Sequence, residues 1–298
     1  MPLPRPLTDA LQIEKGVLYV VAMPIGHDAD ITLRALKVLS TVDIIAAEDT
    51  RLAARKLSQY QIASRLVSCH EYNEAGRAAG LVQKLQAGAA IALISDAGTP
   101  SVSDPGYRLI QSAIGAGVKV VPIPGVSAAI AALSVSGLPT DAFTFLGFPP
   151  RKQTHRVALL QEMACEPRTL IFYESPKRVL QFIEDAIAIL GTRQAVLSRE
   201  MTKSHEEFIR GTLSEIRDTL SARPEVKGEC TLLISGKKRD ATELSEAAAS
   251  VVTEAAAHSE ESTGDLARTL SLQYGISRKK AYQMILSQKS GKTPPSSV

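Results

Sequence analysis

Cysteine is scarce. The 298 residues hold three, Cys69, Cys165 and Cys230, far apart and odd in number. That excludes a disulfide framework and a cysteine-built metal cluster, and it fits a reducing cytoplasm. An excess of one charge is missing as well. The formal net charge is +3, too small in itself to argue for nucleic acid, so where the basic residues cluster matters more than their sum. Long hydrophobic runs are also lacking. The run Val17 to Met23 is short and closed by Pro24, so it reads as a strand and not as a signal segment. The longest small and apolar stretch, Val126 to Leu138, contains three serines and a glycine and is too short to span a bilayer. No membrane role is expected. A G-x-G-x-x-G fingerprint is absent too: the first strand ends in Met23-Pro24-Ile25-Gly26-His27, which weighs against a dinucleotide oxidoreductase.

What remains is an ordinary globular composition, 45% hydrophobic and 22% charged, in a chain long enough for two domains. Strand-like runs at Val17–Met23, Asp43–Ala47, Leu66–Ser68, Ala90–Ser95 and Val118–Pro122 alternate with helical patterns, which predicts a mainly parallel sheet. A second α/β half starts near Asp141, with strands at Phe143–Leu146, Thr169–Tyr173, Ala195–Ser198 and Cys230–Ile234 and helical segments at His155–Met163 and Pro176–Leu190; their spacing does not order them. Gly236 to Asp240 reads as a linker. Beyond it come a helix from Thr242 to His258, then Asp265–Gln273, a turn at Tyr274 to Ser277, and Arg278–Ser287. This last pair is helix-turn-helix-like, with Leu266, Leu270, Ile276, Ala281, Ile285 and Leu286 as its buried set. From Asp265 onward six basic residues, Arg268, Arg278, Lys279, Lys280, Lys289 and Lys292, face one acid. Such a pair suits phosphate binding or, equally, a solvated dimer arm. Ser290 to Val298 is expected to be disordered.

The most informative stretch is Ser95-Asp96-Ala97-Gly98-Thr99-Pro100, at the end of a buried strand. Small and polar residues at a strand's carboxyl end are where open α/β sheets bind ligands. Ser103-Asp104-Pro105-Gly106 then reads as a helix cap with proline at the first helical position. The device repeats at Val118 to Gly125, followed by Val126-Ser127-Ala128-Ala129, so two loops line one crevice suited to a nucleotide-like cofactor. Strand two ends in Glu48-Asp49-Thr50-Arg51. Either Asp49 or Thr50 caps the next helix while Glu48 pairs with Arg51, or the cluster borders the reaction site. Strand three runs into Cys69-His70-Glu71-Tyr72-Asn73, where His70 is a base near neutral pH or a simple donor. In the second half, Phe172-Tyr173-Glu174-Ser175-Pro176 ends a strand with Ser175 as the expected cap, and Ser198-Arg199-Glu200-Met201-Thr202-Lys203 ends another.

Together these pieces, with Lys227-Gly228-Glu229, resemble the ribosomal RNA small subunit methyltransferase I family. That family lies within the tetrapyrrole-methylase-like class of S-adenosylmethionine-dependent enzymes. The resemblance runs from about Gly16 to Ser235, in order and at even spacing. It implies a two-domain α/β fold with the cofactor, S-adenosylmethionine, in the cleft between domains, plus a small helical extension. The expected division is 1–15 extension, 16–138 N-terminal α/β domain, 139–236 C-terminal α/β domain and 237–298 linker and basic tail. It implies methyl transfer to the ribose 2′-oxygen of a cytidine in the decoding region of 16S rRNA, with the small ribosomal subunit as partner and a homodimeric enzyme. Carried over, Ser95, Asp96, Ala97, Gly98, Thr99, Pro100, Ser101 and Val102 hold the cofactor, Gly125, Ser127 and Ala128 line the same pocket, and Tyr173 and Glu174 contribute from the second domain.

Methyl transfer from a sulfonium needs alignment, exclusion of water and help for a weakly nucleophilic hydroxyl. Glu48, Asp49, His70 and Glu200 are the candidates for that help; Arg51, Arg199 and Lys203 are expected to grip phosphate or hold the carboxylates, with Arg278, Lys279 and Lys280 on the tail. No ligand cluster calls for a metal. The chain departs from the family pattern at His27, where asparagine is usual, and at Tyr72, which replaces the second histidine of a His-Glu-His-Asn pattern and is able to stack on a base. The rival readings are a tetrapyrrole or other small-molecule methylase of the same fold, and a non-catalytic RNA- or ribosome-binding protein.

Overall fold

The computed structural model describes residues 12–237, 262–274 and 278–289. The predicted helix Thr242 to His258, the turn residues Gly275 to Ser277 and the segment Ser290 to Val298 lie outside them. The described residues up to Gly236 form one compact unit and those from Lys237 onward a second.

The first half of the large unit alternates β1 (Val17–Val21), α1 (Leu33–Thr41), β2 (Ile44–Ala47), α2 (Thr50–Gln59), β3 (Leu66–Ser68), α3 (Glu74–Gln86), β4 (Ile91–Ile94), α4 (Tyr107–Gly115), β5 (Lys119–Ile123) and α5 (Ala128–Ser136). The sheet order is β3-β2-β4-β1-β5, and every pairing is parallel. Both faces are covered, which is why β2 and β4 are apolar at each position. Val17, Tyr19 and Val21 meet α1 and α2 through Val38, Leu39 and Leu57. Leu18, Ile91 and Leu93 meet α3 and α4 through Leu81, Leu85 and Leu109.

The second half runs β6 (Phe143–Gly147), α6 (Gln153–Glu162), β7 (Thr169–Glu174), α7 (Val179–Leu190), β8 (Gln194–Arg199), β9 (Glu207–Thr212), α8 (Leu213–Ser221) and β10 (Cys230–Ile234). Its order is β6-β7-β10-β8-β9, with β6 and β7 parallel and the other neighbours antiparallel. One face buries Phe172 and Leu232 against helices, with Phe182 of α7 meeting the Phe172 ring edge-on. The alternate residues Ile171, Val196 and Leu233 point the other way, onto Ala129, Ala132 and Leu133 of α5. The small residues of α5 allow that close approach, so this helix fastens the two halves together.

Three sequence expectations are corrected. α4 starts at Tyr107, not at Pro105: Gly106 is the N-cap at φ 130°, and the Pro105 carbonyl accepts the Ser101 N–H at 3.2 Å, so Ser103 to Pro105 belong to the preceding loop. Ser175 does not cap α7 with its hydroxyl. Arg178 is the N-cap residue, and the Ser175 carbonyl takes the N–H groups of Arg178 and Val179. In the small unit, α9 (Thr263–Tyr274) and α10 (Arg278–Lys289) pack on each other and bury Leu266, Ala267, Ala281 and Ile285. Leu286, expected inside, is exposed, because Ala281 and Ile285 share a face at i, i+4 and the next residue turns about 100° away.

Candidate active site

β1 and β4 are neighbours, yet the chain leaves them toward opposite faces of the sheet, so a crevice opens at their carboxyl ends. A reciprocal backbone pair closes its floor: Met23 N–H donates to the Gly98 carbonyl at 2.8 Å and Gly98 N–H to the Met23 carbonyl at 2.9 Å. The loop from Ser95 is tied to the loop before α5 by the Thr99 hydroxyl, which donates to the Val126 carbonyl at 3.2 Å. Ser101 and Ser103 hold left-handed backbone, at φ 67° and 65°, a conformation that costs energy outside glycine and clusters at functional sites.

The second half closes the crevice from above. His27 N–H donates to Thr202 Oγ1 at 3.0 Å. A Cβ on Gly26 would stand 2.5 Å from that same oxygen and 2.7 Å from the Met201 carbonyl, so only glycine lets these two loops touch. The cleft has a volume of about 370 Å³, in the range of small-molecule sites. Its walls are Ile25, Ala97, Gly98, Thr99, Val102, Ser127 and Ala128 from the first half, and Phe148, Tyr173, Met201, Cys230 and Thr231 from the second. Tyr173 is fixed there: its hydroxyl accepts Ala129 N–H at 3.1 Å, and Phe145 and Phe148 meet its ring edge-on at 5.0 and 5.6 Å.

The cleft's charge is one-sided. Glu48, Asp96, Asp104, Glu174 and Glu229 line it, and no lysine, arginine or histidine does so among the described residues. Glu174 is neutralised by an ion pair with Arg178 and receives Ser175 N–H at 2.6 Å. Lys203 lies 3.2 Å from Glu229. Asp96 is braced from behind, its carbonyl taking Lys56 Nζ at 2.6 Å and its Oδ1 taking Asp49 N–H at 3.2 Å. Burial pushes the Lys56 ammonium below its usual pKa, against the pull of Asp96. Glu48 and Asp104 are left with fewest compensations. Burial, then the negative charge of Asp96, raises the Glu48 pKa. Burial, then the charge of Glu48, raises Asp104 to about 6, against the opposing influence of the nearby Ser95 hydroxyl.

The cleft therefore gathers Asp96, Ala97, Gly98, Thr99, Val102, Ser127, Ala128, Tyr173, Glu174 and Glu48 from the residues singled out in the sequence. The others stand around it. Ser95 is buried and its hydroxyl donates to the Ala97 carbonyl at 3.0 Å; buried Pro100 and left-handed Ser101 shape the loop; Gly125 presses on Ala22, where a Cβ would come within 2.8 Å. Asp49 caps α2 through Arg51 N–H and Leu52 N–H, and these bonds lower its pKa. Arg51 pairs with Asp49 at 3.4 Å, and not with Glu48. Glu200 accepts Lys203 Nζ and Glu229 N–H, both at 2.9 Å, and Arg199 bonds Glu207 and the Lys227 carbonyl, each at 3.0 Å. His70 lies close to Glu48, and its buried Nδ1 has no hydrogen-bond partner among the described residues. Arg278 and Lys279 are exposed on α10, where Lys280 also lies.

Asp104, Phe148, Met201 and Glu229 were not singled out as site residues. Asp104 carried a signal, since Asp-Pro-Gly follows the small-residue loop closely, but its proline made a helix cap the natural reading. Among the described residues no group of three or more His, Cys, Asp or Glu side chains is arranged to hold a metal ion. No helix among them is long and apolar enough to cross a membrane.

The parallel sheet, the mixed sheet and the cleft between them define a methylase architecture. The family model described as Tetrapyrrole (Corrin/Porphyrin) Methylases matches residues 17–217. Solved structures agree on the fold. Uroporphyrin-III C-methyl transferase from Thermus thermophilus, complexed with S-adenyl homocysteine, superposes at TM-score 0.53 with 20% identity, covering 74% of this chain and 96% of that one. The methyltransferase CobJ gives 0.58 with 17% identity, over 75% and 96%. Curated relatives are nearer in sequence. Ribosomal RNA small subunit methyltransferase I of Halalkalibacterium halodurans is 48% identical over 75% of this chain and 77% of its own length; that of Haemophilus influenzae is 49% identical over 75% and 80%, and that of Escherichia coli O157:H7 47% over 77% and 81%. The chain belongs to the tetrapyrrole methylase family and, within it, to the ribosomal RNA small subunit methyltransferase I group. It is thus a methyltransferase of an S-adenosylmethionine-dependent class.

Proposed function

We propose that this enzyme transfers a methyl group from S-adenosylmethionine to the ribose 2′-oxygen of a cytidine in the decoding region of 16S rRNA, acting on the small ribosomal subunit in the cytoplasm as a homodimer. The observation that carries the reading is the one-sided charge of the cleft, taken with the names of the relatives. A cleft lined by Glu48, Asp96 and Asp104, with no lysine, arginine or histidine in its lining among the described residues, favours a positively charged ligand and repels phosphate. The sulfonium and ammonium of S-adenosylmethionine suit those carboxylates, and Ile25, Ala97, Val102 and Met201 offer apolar walls to the rest. The same charge disfavours a polycarboxylate tetrapyrrole. An RNA chain need insert only its neutral ribose hydroxyl, leaving its phosphates outside.

When bound, S-adenosylmethionine supplies an electrophilic methyl carbon on sulfur. The protein's part is to hold the hydroxyl in line, keep water out and take the proton. Glu48 is the assigned base. It lines the cleft, its raised pKa makes it a stronger base than a free carboxylate, and Asp49 and Glu200 are engaged elsewhere. With the cofactor bound, Glu48 would take the hydroxyl proton as the methyl group passes from sulfur to the ribose oxygen.

Tritiated S-adenosylmethionine, offered with unmodified small subunits and separately with uroporphyrinogen, tests the substrate class. Label in the RNA supports the proposal. Label in the tetrapyrrole alone overturns it.

A further inference from the structure

Tyr72 is 94% exposed, on a turn whose neighbours are tied down. Asn73 does most of the tying. Its Oδ1 accepts His70 N–H at 2.9 Å, and its Nδ2 lies 3.2 Å from Ser68 Oγ and 3.0 Å from His70 Nε2. With Oδ1 already accepting, the amide nitrogen is the donor to both, so Nε2 is the acceptor of a neutral ring and the proton sits on Nδ1. The His70 carbonyl in turn accepts the N–H groups of Asn73 and Glu74, at 3.0 and 2.8 Å. Glu74 is buried, and its Oε1 takes Leu109 N–H at 2.8 Å. The turn is braced at both ends. On it the Tyr72 ring meets the fixed His70 ring edge-on, centroids 6.2 Å apart. So exposed a ring adds almost nothing to the core; what it offers is a pre-set aromatic face.

Its place in the sheet gives that face a use. Ala47 and Ser68 are register partners of β2 and β3. Arg51 and Tyr72 each follow four residues beyond that rung, and the Arg51 side chain is 91% exposed. Glu48, one residue past Ala47, lines the cleft. An aromatic plane, a solvent-facing guanidinium and the assigned base thus share one carboxyl edge.

We propose that Tyr72 stacks an unpaired base of the RNA substrate and that Arg51 takes a neighbouring phosphate, making this edge a seat for single-stranded RNA. The proposal rests on the RNA reading above. Aromatic faces beside basic side chains are the usual means of holding unpaired nucleotides, and an exposed guanidinium outside an acid-lined cleft places the phosphate where the cleft's charge does not repel it.

The test uses the full chain and a fluorescent single-stranded RNA of decoding-region sequence, with binding read by anisotropy for wild type, Tyr72→Phe and Tyr72→Ala. Tyr72→Ala is expected to bind about tenfold or more weakly, Tyr72→Phe to bind as wild type, and both to keep wild-type Tm and S-adenosylhomocysteine affinity. Unchanged RNA affinity in Tyr72→Ala overturns the proposal. So does an equal loss in Tyr72→Phe, which would assign the effect to the hydroxyl and not the ring. If Tyr72→Ala raises KM on whole subunits but leaves RNA affinity unchanged, the ring contacts a ribosomal protein and stacking is overturned. Binding does not depend on turnover. A wild-type enzyme that binds RNA through Tyr72 but methylates none supports the stacking while overturning the reading beneath it.

Discussion

Asp104 displays the cost of the cleft in a single side chain. Its pKa of about 6 arises from burial and from the charge of Glu48. The folded chain therefore holds this proton more tightly than the unfolded chain does. The sign follows: the stabilising contribution is full below the unfolded value near 3.8 and is lost as pH rises through 6. Asp104→Asn removes that dependence. Its melting temperature is expected to exceed wild type at pH 8, by an amount on the order of 2 kcal/mol in stability, and the gap is expected to close toward pH 4 in a thermal scan. Cofactor affinity moves the opposite way with pH. If the ionised carboxylate attracts the cationic ligand, wild-type affinity by calorimetry falls as pH drops below 6, and Asp104→Asn is weak at every pH.

Glu48 and His70 separate at the same scale. Glu48→Gln keeps the shape and loses the base, so turnover is expected to fall about 100-fold or more, with a much smaller change in S-adenosylhomocysteine affinity. His70→Ala is expected to cost less, because the ring, with Nε2 accepting from Asn73 and Nδ1 without a hydrogen-bond partner among the described residues, lies near Glu48 without bonding to it. Equal losses in single-turnover rates would contradict this division of roles.

Elements set how these residues meet. The loop after β1 touches the β8–β9 loop through Gly26, His27 and Thr202, and α5 lies between the first half and the second sheet. α6 is held to α7 by a buried pair, Arg156 Nε to Asp185 Oδ2 at 2.7 Å, with Arg156 Nη1 reaching the Arg151 carbonyl at 3.1 Å. Asp185→Ala strands the buried guanidinium and is expected to cost about 3–5 kcal/mol, read as a lower urea midpoint. The apolar strands of the parallel sheet were legible because a strand covered on both faces is a continuous apolar run. β9 was not. As an edge strand it carries Glu207 and Arg210 and has no buried residue, and Glu207 serves Arg199 and Arg223, a pairing with Arg223 above all that holds its pKa near 2. Its residues read as surface pairing, which they also make. The start of α4 misled for the converse reason: Pro105 is suited to a helix start, but the loop uses it as a turn to aim Asp104 into the cleft.

Over the whole molecule, the two loops converging on one crevice were readable from their repeated small-residue pattern. The order of the second sheet was not, since β10 pairs between β7 and β8 and nothing local encodes a pairing of that range. Nor does local pattern tell which carboxylates of a cluster face a cavity: Glu48 faces it and Asp49 caps a helix because one is a residue nearer the strand. The small unit is basic and bears Arg278 and Lys279 on its surface. If it holds phosphate, deleting residues 241–298 weakens subunit binding and flattens its salt dependence by about one unit of slope per lost contact. An unchanged slope would assign those helices to assembly instead.

The most direct measurement is the nucleoside itself. Small subunits lacking the modification, treated with the enzyme and tritiated S-adenosylmethionine, are digested, and the labelled position is mapped and chromatographed. The proposed chemistry predicts label in 2′-O-methylcytidine at one decoding-region position, lost in Glu48→Gln. Label on a base carbon or nitrogen, or no label in RNA while S-adenosylhomocysteine still binds, would contradict it.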